Sequence, residues 1–168
     1  MTKFIACSLL VFGIMQSPRA AELRVRGIEL TETGSVITVD CGPTAADGTS
    51  IQLHYPGVTR PFSSERDYYQ NSHRTAIGFN MKPAAGVNEI YLIVSDQIGL
   101  RILPRINSAL QAALSRSGVN TVSDALYLSA IEGDLIRVFY DPYGYEQGKA
   151  GKMYTFRLRP NGEFQPAK

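Results

Sequence analysis

The chain predicts an α+β fold: a mostly antiparallel β-sheet or small sandwich, with one amphipathic helix over about residues 104–117 packed on it. Three observations lead there. Runs rich in β-branched and aromatic residues, several of them alternating, occur both before and after the helical segment. Only one segment has a clear helical period, whereas a doubly wound parallel sheet needs strand and helix to alternate throughout. Short polar turns containing glycine separate several of the runs, as hairpins require.

Taken in order, Leu23 to Leu30 favours a strand through Leu23, Val25 and Ile28. Ser35 to Cys41 is a second strand, joined to the first by the hairpin signal Thr31-Glu32-Thr33-Gly34. Gly42-Pro43 and Asp47-Gly48 punctuate a loop before a third strand, Ile51 to Tyr55, which stops at Pro56-Gly57. Residues 57–75 are polar, charged and without period, and read as a long loop, a length more usual for functional or disordered segments. Ala76 to Met81 and Glu89 to Ser95 follow, with 82–88 as the connection. In the second of these, Ile90, Leu92 and Val94 face one way and Tyr91 and Ile93 the other. That pattern predicts a strand buried on both faces at the centre of the sheet.

The helix begins with Pro104 in its first turn and carries one apolar stripe: Ile106, Leu110, Ala113 and Leu114. Gly118 is placed to end it. Residues 121–131 combine a capping-box pattern, Thr121 with Asp124, with the alternation of Leu126, Leu128 and Ala130. A hairpin into Leu135 to Tyr140, turning at Glu132-Gly133-Asp134, is the preferred reading over a second short helix. Met153 to Leu158 is the final strand, and the tail after Arg159-Pro160-Asn161-Gly162 is expected to be loose.

Residues 1–21 read as a cleavable export signal. Lys3 precedes an uncharged run from Phe4 to Met15, and small residues close it at Ala20-Ala21. A run of about twelve apolar residues is too short for a bilayer core, which takes roughly twenty. Processing is expected between Ala20 and Glu22. Ile5-Ala6-Cys7 has a faint lipobox flavour, but the apolar stretch lies mostly after Cys7, the reverse of what lipidation needs. The remaining 22–168 is the size of one domain and has no second long apolar span, so no transmembrane anchor is expected after cleavage. The expected location is periplasmic or secreted.

Removing Lys3 and Arg19 leaves fifteen basic against fifteen acidic residues. A near-neutral domain has no field to gather phosphate, which argues against nucleic acid as a partner. Cys41 is the one cysteine left, so no intrachain disulfide framework exists. The oligomeric state is not legible.

Three constellations bear on function. Tyr68 and Tyr69 in the 57–75 loop, and Tyr140, Tyr143 and Tyr145 around 140–152, offer rigid faces with a hydroxyl, as binding surfaces do. Packing beneath the loops is the competing role for these rings. Cys41 with His54 and His73 supplies the parts of a thiol nucleophile and base, with Asp40, Asp47 or Asp67 to orient it. One cysteine and two histidines nineteen residues apart do not make a zinc site, and no cofactor fingerprint is present. The expectation is an exported binding or accessory module that recognises a protein or glycan through its tyrosine-bearing loops. The alternatives are a hydrolase or transferase using Cys41, and a structural subunit of an envelope or secretion assembly.

Overall fold

The computed structural model describes residues 22–31, 34–42, 49–56, 68–84, 87–142 and 150–167. The expected export signal, the loop segment 57–67 and the stretch holding Tyr143 and Tyr145 lie outside the described residues. The described residues form three antiparallel sheets and one α-helix, which bears out the predicted mostly antiparallel α+β class.

The first sheet is formed by β1 (Leu23–Thr31), β2 (Gly34–Cys41) and β3 (Thr49–Pro56), in that order. Thr31 pairs with Gly34, so β1 and β2 form the expected tight hairpin. The apolar residues of β1 are spaced two and then three apart. A bulge between Val25 and Gly27 absorbs the extra residue, Arg26, and returns Ile28 to register opposite Ile37. Arg26 is tied to Asp40 across the pair at 2.7 Å.

The second sheet is the centre of the molecule. Its order is β4 (Tyr68–Gln70), β5 (Ala76–Ala84), β6 (Val87–Asp96), β7 (Gly99–Leu103). Strict alternation divides β5 and β6 between two cores. Ile77, Phe79, Met81, Tyr91 and Ile93 pack against Leu23, Ile37, Val39 and Cys41 of the first sheet. Ala76, Ile90, Leu92 and Val94 face the other way, into a larger core. Each fully buried side chain of this size contributes about 1.5–3 kcal/mol, and β6 supplies such residues to both sides. Its predicted central place is what the structure shows.

The larger core is closed by the third sheet and the helix. β8 (Leu126–Glu132), β9 (Leu135–Tyr140), β10 (Lys152–Leu158) and β11 (Phe164–Ala167) run in the order β11-β10-β9-β8. They contribute Leu126, Leu128, Ile136, Val138, Phe156 and Phe164. The helix α1 (Asn107–Arg116) adds Leu110, Ala113 and Leu114, with Ile106 at its N-cap. Gly118, at φ +78°, ends it in a Schellman motif: Val119 N–H donates to Leu114 O and Gly118 N–H to Ser115 O, both at 3.0 Å. Val119 packs on the same core as Leu114, completing the motif.

Five details differ from the sequence reading. The helix starts at Asn107, not Pro104, because Arg105 sits at φ +50° and Ile106 N–H is spent on Ile90 O at 2.9 Å. Tyr68–Gln70, read as loop, is a short strand on β5. β5 and β6 run on into the expected connection, leaving only 85–86 between them. β7 was not expected at all. The tail is not loose: β11 pairs with β10 and buries Phe164. At 121–131 the preferred hairpin forms from β8 and β9, whereas the capping box does not: the only helical piece there is a single 3-10 turn, Ser123–Ala125, with Val122 at its N-cap and no side-chain cap bond.

Buried asparagines join the central and third sheets. β8 is an edge strand, yet its backbone is buried and needs partners. Asn80 Oδ1 accepts Leu128 N–H at 2.7 Å while its Nδ2 donates to Leu128 O at 2.8 Å, as a neighbouring strand would. Asn88 Nδ2 donates to Leu126 O at 2.7 Å. Asn107 Oδ1 accepts Ile90 N–H at 2.6 Å, and its Nδ2 donates to Asn88 O and Ser123 O. Three carboxamides on β5, β6 and α1 thus close an edge that would otherwise leave buried groups orphaned.

Candidate functional site

Cys41 closes β2 opposite Leu23 and is a free, buried thiol. Its Sγ–H points to Val39 O at 3.9 Å. Burial, and next the Asp40 carboxylate, push its pKa above the ordinary value of 9.0, which favours the thiol over the nucleophilic thiolate. Asp40 itself is engaged by Arg26. His54 lies on β3, five positions along from Thr49, the partner of Cys41. At 3.3–3.4 Å per residue, about 17 Å of strand separates them. His73 is exposed in the turn between β4 and β5. That turn does reach the same corner as Cys41: Leu23 N–H donates to Arg74 O at 2.7 Å, and Gln70 Nε2 donates to Leu23 O at 2.6 Å. The corner is a structural clamp on the start of β1.

The described tyrosines are divided between the cores. Tyr68 packs toward the smaller core, its ring 6.2 Å from that of Phe79. Tyr69, on the opposite face of β4, packs on the larger one. Tyr140 also borders the larger core, 6.5 Å from Tyr154, and its hydroxyl accepts Val122 N–H at 3.3 Å. Each is half-buried, so one side of each ring is occupied by packing. Gly151 is needed for space, not for an unusual conformation, because a Cβ there would meet the Phe139 ring at 2.3 Å.

A surface that the sequence reading did not single out lies on β7. Asp96 Oδ1 accepts Ile98 N–H at 2.9 Å, and Gly99 takes φ +128°, so β6 turns back through Gln97 and Ile98. In β7, Arg101 and Leu103 pair with Val94 and Leu92 and share their inward face. Leu100 and Ile102 take the other face and are 41% and 44% exposed; Ile98, in the turn, is 64% exposed. β7 is also an edge strand, its outer side pairing with no strand among the described residues. Asp96-x-x-Gly99 followed by alternating Leu100 and Ile102 was the signal that could have revealed it.

Among the described residues, no three His, Cys, Asp or Glu side chains are grouped to hold a metal ion. No described helix is long and apolar enough to cross a membrane. No family model matches the chain, and neither a curated protein nor a solved structure gives a match.

Proposed function

We propose that this protein is an exported binding module that docks a partner polypeptide along β7. The observation that carries this reading is the pairing of an open main-chain edge with the aliphatic stripe of Ile98, Leu100 and Ile102. An extended partner segment laid against β7 would satisfy the strand's outer amides and carbonyls and cover the aliphatics with its alternate side chains. A polypeptide fits better than a glycan, because the described tyrosines already give one ring face to the cores. Export is part of the same reading. Glu22 is already part of the fold, its backbone O accepting Gly42 N–H at 2.8 Å and its carboxylate pairing with Arg24 at 3.1 Å, so processing ahead of Glu22 leaves every described contact of β1 in place.

The test compares capture from envelope extract by the processed domain, by L100K/I102K, and by M153K, a matched exposed substitution on β10. The same partner should be captured by the first and third and lost by the second. Hydrogen exchange on the complex should show new protection at 99–103. Equal capture by L100K/I102K, or protection confined elsewhere, would refute it.

A further inference from the structure

The central and third sheets are not sealed at both ends. Beside β8, near Ile90 and Leu126, α1 and the 3-10 turn fill the gap between them. At the other end, where β6 turns into β7, a cavity of about 320 Å³ remains. Leu92, Val94, Ile131 and Ile136 give it apolar walls, and Leu158 flanks it. All but Leu158 are buried members of the larger core, so that core forms the floor of the cavity.

Arg101 spans the mouth. Its Nη2 is paired with Asp96, and its Nη1 donates to Pro160 O at 3.0 Å, tying the central sheet to the turn before β11. The side chain is four-fifths buried, with 20% relative exposure. Its Nε–H is buried and has no hydrogen-bond partner among the described protein atoms. A buried guanidinium N–H left unsatisfied is costly, and such a group lining a cavity is most simply explained by an acceptor supplied from outside.

We propose that this cavity binds an acyl chain, with the chain on Leu92, Val94, Ile131 and Ile136 and the carbonyl oxygen accepting from Arg101 Nε. The charges at the mouth explain why a carbonyl rather than an anion is wanted. Arg101 is already offset by Asp96, and Asp134 at the rim is offset by Arg157 at 2.9 Å. What is unspent on the buried side is the Nε–H donor, not a positive charge. The size sets the chain: at the ~30 Å³ that one water takes up in the liquid, the cavity holds about ten non-hydrogen atoms, an eight-carbon acyl group. Its source is either an esterified acyl group, which supplies a neutral carbonyl, or a free fatty acid, whose carboxylate supplies the same acceptor oxygen with a charge that the mouth does not offset.

The test is a titration of the processed protein with methyl octanoate, octanoate and octylamine, followed by NMR. Methyl octanoate should bind and shift the Arg101 Nε–H signal together with the methyl signals of Val94, Ile131 and Ile136. If octanoate matches it, the free acid is a competent source; if it is weaker, the esterified group is. Octylamine, which brings donors only, should bind at least about tenfold more weakly. Arg101→Gln should weaken binding about tenfold. Since Arg101 also holds Asp96 and Pro160, Leu158→Trp provides a second variant that narrows the half-buried wall with Arg101 intact, and it too should lose binding. Absence of binding by either acyl ligand at millimolar concentration, equal binding by octylamine, or wild-type affinity in Leu158→Trp would overturn the proposal. L100K/I102K alters the opposite face of β7 and should leave this affinity unchanged, so the two sites fail separately.

Discussion

Replacing Asn80 isolates the contribution of the asparagine bridge. In Asn80→Ala, Leu128 loses the partners of both its N–H (2.7 Å) and its C=O (2.8 Å). Asn80 is 8% exposed and Leu128 1%, so bulk water does not replace them freely. Each buried group left unpaired costs about 1–3 kcal/mol, and the two together should remove about 2–6 kcal/mol from a fold whose total stability is of order 5–15 kcal/mol. Asn80→Asp keeps the shape but sets a carboxylate against Leu128 O. Burial raises the folded-state pKa of that acid above its unfolded value of about 3.9. The folded state then binds the proton more tightly, so the penalty is full above the folded pKa and shrinks as pH falls toward the unfolded one. Urea unfolding, read by far-UV circular dichroism and tyrosine fluorescence, gives both quantities, with the slope m unchanged in each variant. A loss below about 1 kcal/mol for Asn80→Ala, or a penalty in Asn80→Asp that does not ease on acidification, would refute the bridge.

Two further substitutions test other parts of the packing. Cys41 should react slowly with thiol reagents in the native protein and quickly once unfolded in urea. Because burial raises its folded pKa above 9.0, its stabilising contribution relative to Cys41→Ala, about 1 kcal/mol for one buried heavy atom, should be intact below pH 9 and fall as pH rises through the folded value. Gly78→Ala would bring a Cβ to 2.2 Å from Leu128 Cδ2 and 3.1 Å from Ile131 Cδ1, both buried. It should lower stability by about 1–3 kcal/mol in the same urea titration, and an unchanged midpoint would show that the two sheets have room to part.

The fold class was legible because hydrophobic period reports burial directly. β6 announced both of its buried faces, and the stripe and closing glycine of α1 were visible in full. What was hidden is what burial does not encode locally. β7 exposes Leu100 and Ile102 on one side and turns Arg101 to a cavity on the other, so it lacks the apolar-in, polar-out signature of a half-buried strand. β11 is four residues long and has one buried side chain, Phe164, too little to register as a period. The asparagines carry no local signal of their role, and only the meeting of β5 and β8, 48 residues apart, gives Asn80 its partners. The thiol and the histidines illustrate the converse: residue types were plain, but strand register decides separation, and it sets His54 far along from Cys41.

The edges of the three sheets are treated unequally, and that inequality favours β7 as the docking strand. Exposed edges invite pairing, and proteins blunt them with charge, proline, bulges, shortness or cover. β1 carries Arg24, Arg26 and a bulge. β4 is three residues long, and its Gln70 is committed to Leu23. β8 is sealed by Asn80, Asn88 and Asn107. β11 is short and contains Pro166. β7 has only Arg101 as a charge, and Arg101 is turned inward to Asp96 and Pro160. Its solvent face is left aliphatic for three alternate positions, 98, 100 and 102. Of the edges whose side chains are described, β1, β4, β8 and β11 are each blunted and β7 is left both open and apolar, which is the condition the proposed docking requires.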